Sequence, residues 1–453
     1  MRKNLLYGMS ASLTVSLAVV PQNTPAQSNA EGGVRTSLAL SSTVQSRNGN
    51  AEAITGASLT TSSETRNQRI VLTLGANTYL GRDGVDDLSI EDPFATLSYT
   101  RSNKNSRVSM DLSFGQTLLD DSTQDLSDIT DIEDVRLQQQ GSRETRSIAL
   151  AAEFGLASPV NTQLEYNLVE QSFTDTTDPD LNDTTSERIA LTTQLRFSPV
   201  VTGVFLASQD RFDDDQTTGT VRDIDTRFGA GVRLQLSPNQ RASLNVFHQT
   251  FETTAPSGTT EDDGLSWDAD FENELANGGF AALRLSSLFT DGGRTRRAEF
   301  ERQWALKTTQ LNLGIGVTDF DTASVGEVGA IGSLGLEKTL STGTLAASYG
   351  RSATVDDNGD LNIIDRIEMS YTHALTRTST LSASAQYIDL DDRSAGNIDG
   401  TRVGLEVTYS KNVTKDWDLS SGIRLSRSQE TGQSSTTDNT LFVTLRRNFN
   451  WKH

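Results

Sequence analysis

Apolar residues recur at every second position along most of this chain, in runs of about ten residues that turns separate. One run consists of Ile148, Leu150, Ala152, Phe154 and Leu156. Another, which closes the chain, consists of Leu441, Val443, Leu445 and Phe449. The residues between them are mostly polar or very small. Because alternate side chains of a β-strand point to opposite faces, each run predicts a strand with one apolar and one polar face.

The connections between the runs are of two kinds, which alternate. Pro159, Pro199 and Pro238 each lie in a short turn, and the connection that follows is longer and acidic. The acidic stretches lie at 120–121, 125–134, 175–183, 213–215, 261–263, 356–360 and 389–392. Such clusters, mixed with Ser, Thr and Asn, are typical of solvated loops. The alternation indicates an all-β fold: a single-chain transmembrane antiparallel β-barrel with short periplasmic turns and longer acidic extracellular loops.

Counting outward from the turns predicts 22 strands, and about 20 is the alternative because the first two are weak. They lie near 34–45, 51–62, 67–80, 91–101, 106–118, 144–157, 162–174, 186–198, 200–212, 223–236, 241–254, 265–275, 280–290, 295–306, 310–320, 327–340, 343–352, 362–375, 380–390, 400–411, 416–428 and 438–449. The same hairpin repeats without a linker, which predicts one domain over 27–453. A soluble array of β-sandwiches and a β-helix are the competing all-β folds.

The N-terminus has the three regions of a secretory signal peptide. Arg2 and Lys3 precede an apolar run over 5–20, and a short polar stretch with small residues follows. We expect cleavage after Ala26, giving a signal peptide over 1–26, with cleavage after Ala30 as the alternative. Only a few residues would then precede the first strand, so we expect no plug domain before the barrel. The chain has no cysteine, which excludes disulfides and a lipid anchor on a cysteine.

Aromatic residues assigned to the lipid-facing phase concentrate near strand ends, as in the girdles of membrane barrels. They are Phe154, Phe197, Trp267, Phe289, Trp304, Tyr371, Tyr387, Tyr409 and Trp417. Core aromatics of a soluble fold are the alternative. Arg302 and Arg447 also fall on this phase. Either the phase slips at these two positions, or their side chains extend to the membrane interface.

The signal peptide, the absence of cysteine, the alternating strands and the last strand, Thr440 to Trp451, together resemble Gram-negative outer-membrane β-barrels. The breadth of the barrel and its Ser/Thr/Asp-rich loops are most similar to β-barrel porins of proteobacteria. The resemblance implies an outer-membrane location and passage of hydrophilic solutes. It implies outer-membrane lipid, lipopolysaccharide and the barrel assembly machinery as partners. The chain departs from the usual aromatic end, because Lys452 and His453 follow Trp451.

Charges of both signs fall on the phase that faces the barrel interior. The basic residues are Arg188, Arg196, Arg227, Arg233, Arg284, Arg366, Arg402 and Arg424. The acidic residues are Glu153, Glu165, Asp225, Asp268, Asp270, Glu272, Glu299, Glu301, Glu368 and Glu406. Rings of charge can tune which ions pass. Alternatively, these residues pair with one another and hold the wall together.

The sequence offers little catalytic chemistry. The one formal Ser/His candidate is His248 with Ser243, and the two fall on opposite faces of one strand. We therefore expect no enzyme, no catalytic residue, no cofactor and no histidine-based metal site. The acidic stretches 178–183 and 356–360 are either calcium-binding loops or hydrated turns, and divalent cations there would bridge to lipopolysaccharide phosphates. A net charge of −21 excludes nucleic acid as a partner.

The longest break in the hairpin repeat, from Leu119 to Ser142, is a candidate pore constriction. Its acids are Asp120, Asp121, Asp125, Asp128, Asp131, Glu133 and Asp134. Folded into the lumen they would favour cations; the alternative is an exposed surface loop. The leading function is a channel for passive diffusion of hydrophilic solutes. The alternatives are a secretion barrel for an exopolysaccharide and a surface or structural barrel that transports nothing.

Overall fold

The computed structural model describes residues 33–81, 90–118, 141–176, 181–216, 219–276, 278–290, 293–322, 326–355, 361–392, 399–431 and 434–452. No helix in these ranges is long and apolar enough to cross a membrane. The strands are β1 Gly33–Arg47, β2 Asn50–Glu64, β3 Gln68–Leu80, β4 Ile90–Ser102, β5 Ser106–Leu118, β6 Ser142–Phe154, β7 Val160–Thr174, β8 Asp183–Arg196, β9 Val201–Gln216, β10 Gly219–Ser237, β11 Gln240–Ala255, β12 Gly258–Glu274, β13 Phe280–Thr290, β14 Gly293–Ala305, β15 Thr309–Thr322, β16 Gly326–Leu340, β17 Gly343–Val355, β18 Leu361–Thr376, β19 Ser379–Asp392, β20 Gly400–Asn412, β21 Trp417–Glu430 and β22 Thr436–Lys452.

Each strand pairs antiparallel with the next, and β22 pairs with β1, so the sheet of 22 strands closes into a barrel. The closing ladder runs from Arg35 opposite Lys452 to Arg47 opposite Thr440. The predicted strand number of 22 is confirmed, and every predicted strand overlaps an observed one. A closed sheet of 22 strands about 4.8 Å apart and tilted by about 40° encloses a backbone cylinder roughly 40 Å across.

The two ends of the barrel differ in their connections. We call "turn end" the end with connections such as 65–67, 238–239 and 341–342, where β1 begins and β22 ends, and "loop end" the opposite one. At the turn end Gly155 has a φ of +80°, and a Cβ there would lie 1.9 Å from the Val160 carbonyl oxygen, so only glycine fits. At the loop end Asn48 and Gly49, with φ of 49° and 89°, form the tight Asn-Gly turn that joins β1 to β2.

Three acidic stretches predicted as loops lie in strands. Residues 213–215 belong to β9, residues 261–263 to β12, and residues 389–392 to β19. Cross-strand partners explain the difference: Asp213 on β9 accepts a 2.7 Å hydrogen bond from Nε of Arg222 on β10, and Asp389 accepts one of 3.1 Å from Thr401. The sequence shows the clustered charge but not the partner on the next strand. The strands β9 to β12 therefore reach further towards the loop end than expected.

The barrel wall has an apolar outer face and a polar inner face. Large apolar side chains exposed on the outer face include Leu59, Leu72, Leu150, Leu191, Phe205, Val317, Leu405 and Val443. Within the described ranges only ten hydrophobic residues are buried. Soluble proteins rarely expose a continuous apolar surface of this extent. The outer face is thus the surface that a transmembrane barrel presents to lipid.

One predicted girdle residue, Phe289, has the outer phase in its pairing with β14, opposite Arg294, but its ring contacts inner-phase residues. The ring of Phe289 packs 6.2 Å from that of Phe251, centroid to centroid, and lies over Gly264. Phe251 and Gly264 both belong to the inner phase, because they pair opposite Asp225 and Gln249. The ladder with β14 keeps the Phe289 backbone in the outer phase, but the ladder with β12 ends at Trp267 and Ser287, and beyond that point the ring lies across β12.

Arginine on the two faces of β8 should have unequal costs. Leu191 lies on the outer face between Leu164 and Ala207, and Thr192 lies on the inner face beside Gln163. Leu191→Arg should cost about 2–4 kcal/mol of unfolding free energy in lipid vesicles, because the charge enters hydrocarbon, whereas Thr192→Arg should be tolerated. Urea titration of both variants in the same vesicles measures the difference. Equal costs would contradict the assignment of the two faces.

Candidate solute pathway along the inner wall

The inner wall carries the charges that the sequence assigns to it. Five of the predicted lumen residues lie on the two strands that flank β11: Arg227 and Arg233 on β10, and Asp268, Asp270 and Glu272 on β12. Arg196 lies two strands from β10, on β8. The pairing register puts residues of neighbouring strands on a common face wherever they lie opposite each other. These six residues therefore share the inner face.

Most of the predicted inner charges pair with a neighbour. Arg188 lies 3.2 Å from Asp210, Arg424 lies 2.8 Å from Glu406, and Arg284 bonds Glu301. Further along the wall Arg241 donates to both Glu272 and Glu274, at 2.8 Å each. Asp268 and Asp270 accept hydrogen bonds of 2.7 Å from Asn245 and 3.2 Å from Ser243. Of the two interpretations left open by the sequence, the pairing of charges within the wall is the one that these contacts support.

One of the least exposed pairs belongs to a four-residue network on β10, β11 and β12. Arg227 bonds Asp225, and their side chains are 19% and 11% exposed. Gln249 donates to both carboxylate oxygens of Asp225, at 3.1 and 3.0 Å, and accepts a 2.9 Å bond from Ser266. Each polar group therefore has a partner, as a buried network needs to be stable.

Arg196 and Arg233 differ from the paired charges. Both pair opposite Thr202 on β9, so only that strand separates the two arginines near the turn end. Both are exposed, and neither has a carboxylate within ion-pair distance among the described residues. This part of the inner wall therefore carries two cations that form no salt bridge.

Rows of hydroxyl groups cover another part of the wall. We call them the hydroxyl rows. One row crosses β1 to β6 and consists of Ser37, Thr60, Thr73, Thr96, Ser113 and Ser147. A second crosses the seam and consists of Thr43, Thr444, Ser420, Ser410 and Thr380. Thr60 and Thr73 lie 3.2 Å apart, oxygen to oxygen, and Ser113 and Ser147 lie 2.6 Å apart. A hydroxyl has one donor and two acceptor positions, so such pairs keep capacity for a solute.

Sequence reasoning missed the hydroxyl rows. Each strand contributes one Ser or Thr, which is unremarkable alone, and the row exists only in the cross-strand register.

The acids of the predicted constriction, Asp120 to Asp134, lie outside the described residues. So do the signal peptide and the candidate calcium loop 356–360, and the other candidate, 178–183, is described only in part. In the described ranges no group of three or more His, Asp or Glu side chains is placed to hold a metal ion. His248 and Ser243 lie on opposite faces, as predicted.

At the loop end, two adjacent acids on β9 have opposite electrostatic environments. Partial burial opposes ionisation of Asp213, but hydrogen bonds from Arg211 and Arg222 hold its pKa below the ordinary value. Burial raises the pKa of Asp214, only partly offset by a hydrogen bond from Gln216. Asp213 lies on the outer face with its arginines, and Asp214 lies on the inner face opposite Val221. At this end of the inner wall, burial therefore disfavours the ionised form of the Asp214 carboxyl group.

Comparison with known proteins identifies the fold. No protein-family model and no curated protein sequence matches the chain. The ferric-catecholate import receptor Fiu from E. coli matches with a TM-score of 0.62 and 10% identity over 93% of this chain and 82% of the receptor. The FrpB iron transporter from Neisseria meningitidis gives 0.62 and 10% over 93% and 83%. The siderophore receptor PirA from Acinetobacter baumannii gives 0.61 and 9% over 93% and 81%. This chain shares their barrel fold.

The inner network should be coupled more strongly than an exposed pair. Arg227→Met and Asp225→Asn each leave hydrogen-bonding groups of the network without a partner. Their double variant should therefore lose less unfolding free energy than the sum of the singles, by about 2 kcal/mol. The control pair, Arg424 and Glu406, is 46% and 34% exposed, and its coupling should stay below about 1 kcal/mol. Double-mutant cycles by urea unfolding in vesicles measure both. Equal coupling energies would contradict the role of burial.

Proposed function

We propose that this chain is an outer-membrane transport barrel that carries hydrophilic, mostly uncharged, hydroxylated solutes by passive diffusion. One observation carries the proposal: the inner wall combines hydroxyl rows with charges that pair among themselves. A wall of this kind offers hydrogen bonds to a solute without a strong field of either sign. The predicted signal peptide, the apolar outer face and the barrel fold shared with bacterial import receptors support the outer-membrane location.

The second candidate is an import receptor specific for a metal chelate. Two observations favour it: barrels of 22 strands in outer-membrane transporters have a plugged lumen, and the matched structures include a ferric-catecholate receptor and a siderophore receptor. Two further alternatives are an exopolysaccharide secretion barrel and a surface barrel that transports nothing.

Planar-bilayer recording of the refolded protein distinguishes the two main candidates. A diffusion channel should give steady conductance without added substrate, because a lumen of this width is filled with water unless something occupies it. Liposomes that contain the protein should swell faster in a neutral oligosaccharide than in a sugar acid of equal size. Silent bilayers with no swelling would contradict passive diffusion. Saturable binding of a ferric catecholate by the same preparation would support the import receptor.

Arg196 and Arg233, which form no salt bridge, should contribute to the residual ion preference of the channel. Arg196→Glu with Arg233→Glu replaces two positive charges on the inner wall by two negative ones, so the ratio of cation to anion permeability should rise. The reversal potential in a salt gradient measures this ratio. Arg427→Glu is the control, because Arg427 pairs opposite Val403 on the outer face near the loop end. A double variant with the reversal potential of the wild type would exclude these arginines from the ion pathway.

A further inference from the structure

Charged residues on the outer face are distributed unequally between the two ends. At the turn end the outward positions carry only basic charges among the described residues: Arg101, Arg302, Lys338, Lys411 and Arg447. Towards the loop end the outward positions are rich in acids, which include Glu170, Glu187, Asp213, Glu252, Asp263 and Asp319. The sequence assigned Arg302 and Arg447 to the lipid-facing phase, and the structure confirms this and puts both near the turn end.

Arg447 is held between aromatic rings. Its guanidinium carbon lies 4.3 Å from the centroid of the Phe449 ring and 5.1 Å from that of Trp417 on the neighbouring strand. Phe449 in turn stacks on Trp451, with centroids 6.1 Å apart and planes 5° apart. The remaining cross-strand neighbour is Leu40. The described residues therefore surround this exposed cation with rings and aliphatic groups and give it no carboxylate.

Arg302 has a similar ring contact on β14, eight strands from Arg447. Its guanidinium carbon lies 5.3 Å from the centroid of the Trp304 ring. Its cross-strand neighbours are Ala281 and Leu313, and the described residues give it no acidic partner either. Both arginines thus contact an aromatic ring and lack an acidic partner among the described residues, at the same end of the barrel.

A cation–π contact uses only the face of a guanidinium. Its N–H donors, which lie in the plane of the guanidinium, still need hydrogen-bond acceptors. At the boundary of the hydrocarbon, the available acceptors with negative charge are the phosphates of lipid headgroups. Arginine binds phosphate through two parallel N–H bonds, which a lysine cannot reproduce. Aromatic rings at this depth also fix the level of the cation in the membrane.

We infer that Arg302 and Arg447, with their aromatic neighbours, are binding sites for the phosphate headgroups of anionic phospholipids at the turn end of the barrel. The inference rests on the proposed membrane location, in which the turn end, with both termini, faces the periplasm. Anionic phospholipid is the occupant that charge complementarity favours, because the turn-end girdle is wholly basic among the described residues. The acid-rich outer face near the loop end would instead repel phosphate.

Tryptophan fluorescence can test this, because Trp304 contacts Arg302, while Trp417 and Trp451 belong to the stack around Arg447. The protein is refolded into phosphatidylcholine vesicles that contain either brominated phosphatidylglycerol or brominated phosphatidylcholine, at equal mole fractions. Bromine quenches only the tryptophans that it contacts, so the ratio of the two quenching curves gives the relative affinity. The wild type should favour phosphatidylglycerol by about fivefold per arginine at low salt, and less at high salt.

Variants separate a specific site from general attraction. Arg302→Gln with Arg447→Gln should abolish the preference, and Arg302→Lys with Arg447→Lys should keep only part of it. Arg296→Gln is the matched control, because Arg296 is an outward arginine near the loop end that already binds Asp319 and Asp321. A wild type without preference, or a glutamine variant that keeps it, would overturn the inference. Absence of quenching by either lipid would instead contradict the membrane location itself. Anomalous migration of each unheated sample on gels checks that the variant has folded.

Discussion

The hydrogen-bonded ladder between the first and last strands is the constraint on which the rest of the structure depends. In hydrocarbon an unpaired backbone N–H or C=O costs several kcal/mol, so a sheet can cross a membrane only when it has no edge. Side chains reinforce this seam: Arg47 lies 2.9 Å from Asp438, and the hydroxyls of Thr43 and Thr444 lie 2.8 Å apart. Asn48 and Asn439 exchange two further bonds at the loop end, of 3.0 and 2.9 Å. Specific side-chain pairs, such as Thr43 and Thr444, which are 401 residues apart in sequence, therefore hold the two ends of the sheet together.

Closure also explains the division of the side chains between two walls. Once every backbone group is paired around the ring, the period of two gives each strand one apolar and one polar face. The apolar face has no protein partner and is satisfied only by lipid. The polar face meets water, and its charges pair across neighbouring strands, as Arg188 and Asp210 do. The arginines on the outer face, Arg302 and Arg447, fit the same rule because they lie where hydrocarbon gives way to headgroups.

The sequence predicts the architecture because its signal is local and repeated. Alternation along each strand, with short turns at Pro159 and Pro199, was enough to obtain the strand number and the inner phase of residues such as Arg227 and Asp268. The alternation pattern does not predict which side chains contact each other between strands. The sequence predicts Asp213 as a loop residue because it does not show Arg222 opposite it, and it does not show that the Phe289 ring lies across β12. The hydroxyl rows depend wholly on register, which turn geometry sets over many strands. The predicted constriction by Asp120 to Asp134 stays a prediction.

Closure can be tested directly, since the chain has no cysteine of its own. Ala39 on β1 pairs opposite Asn448 on β22, on the inner face, at a separation that suits a disulfide. With Ala39→Cys and Asn448→Cys, mild oxidation of the protein in membranes should link the two introduced thiols, seen as a shift in gel mobility that reducing agent reverses. The pair Ala39→Cys and Ser420→Cys is the control and should stay unlinked, because Ser420 belongs to the next strand along, β21. Efficient linking of the first pair alone is the result that a closed 22-stranded barrel predicts. Absence of a link between the first pair, or equal linking of both, would contradict it.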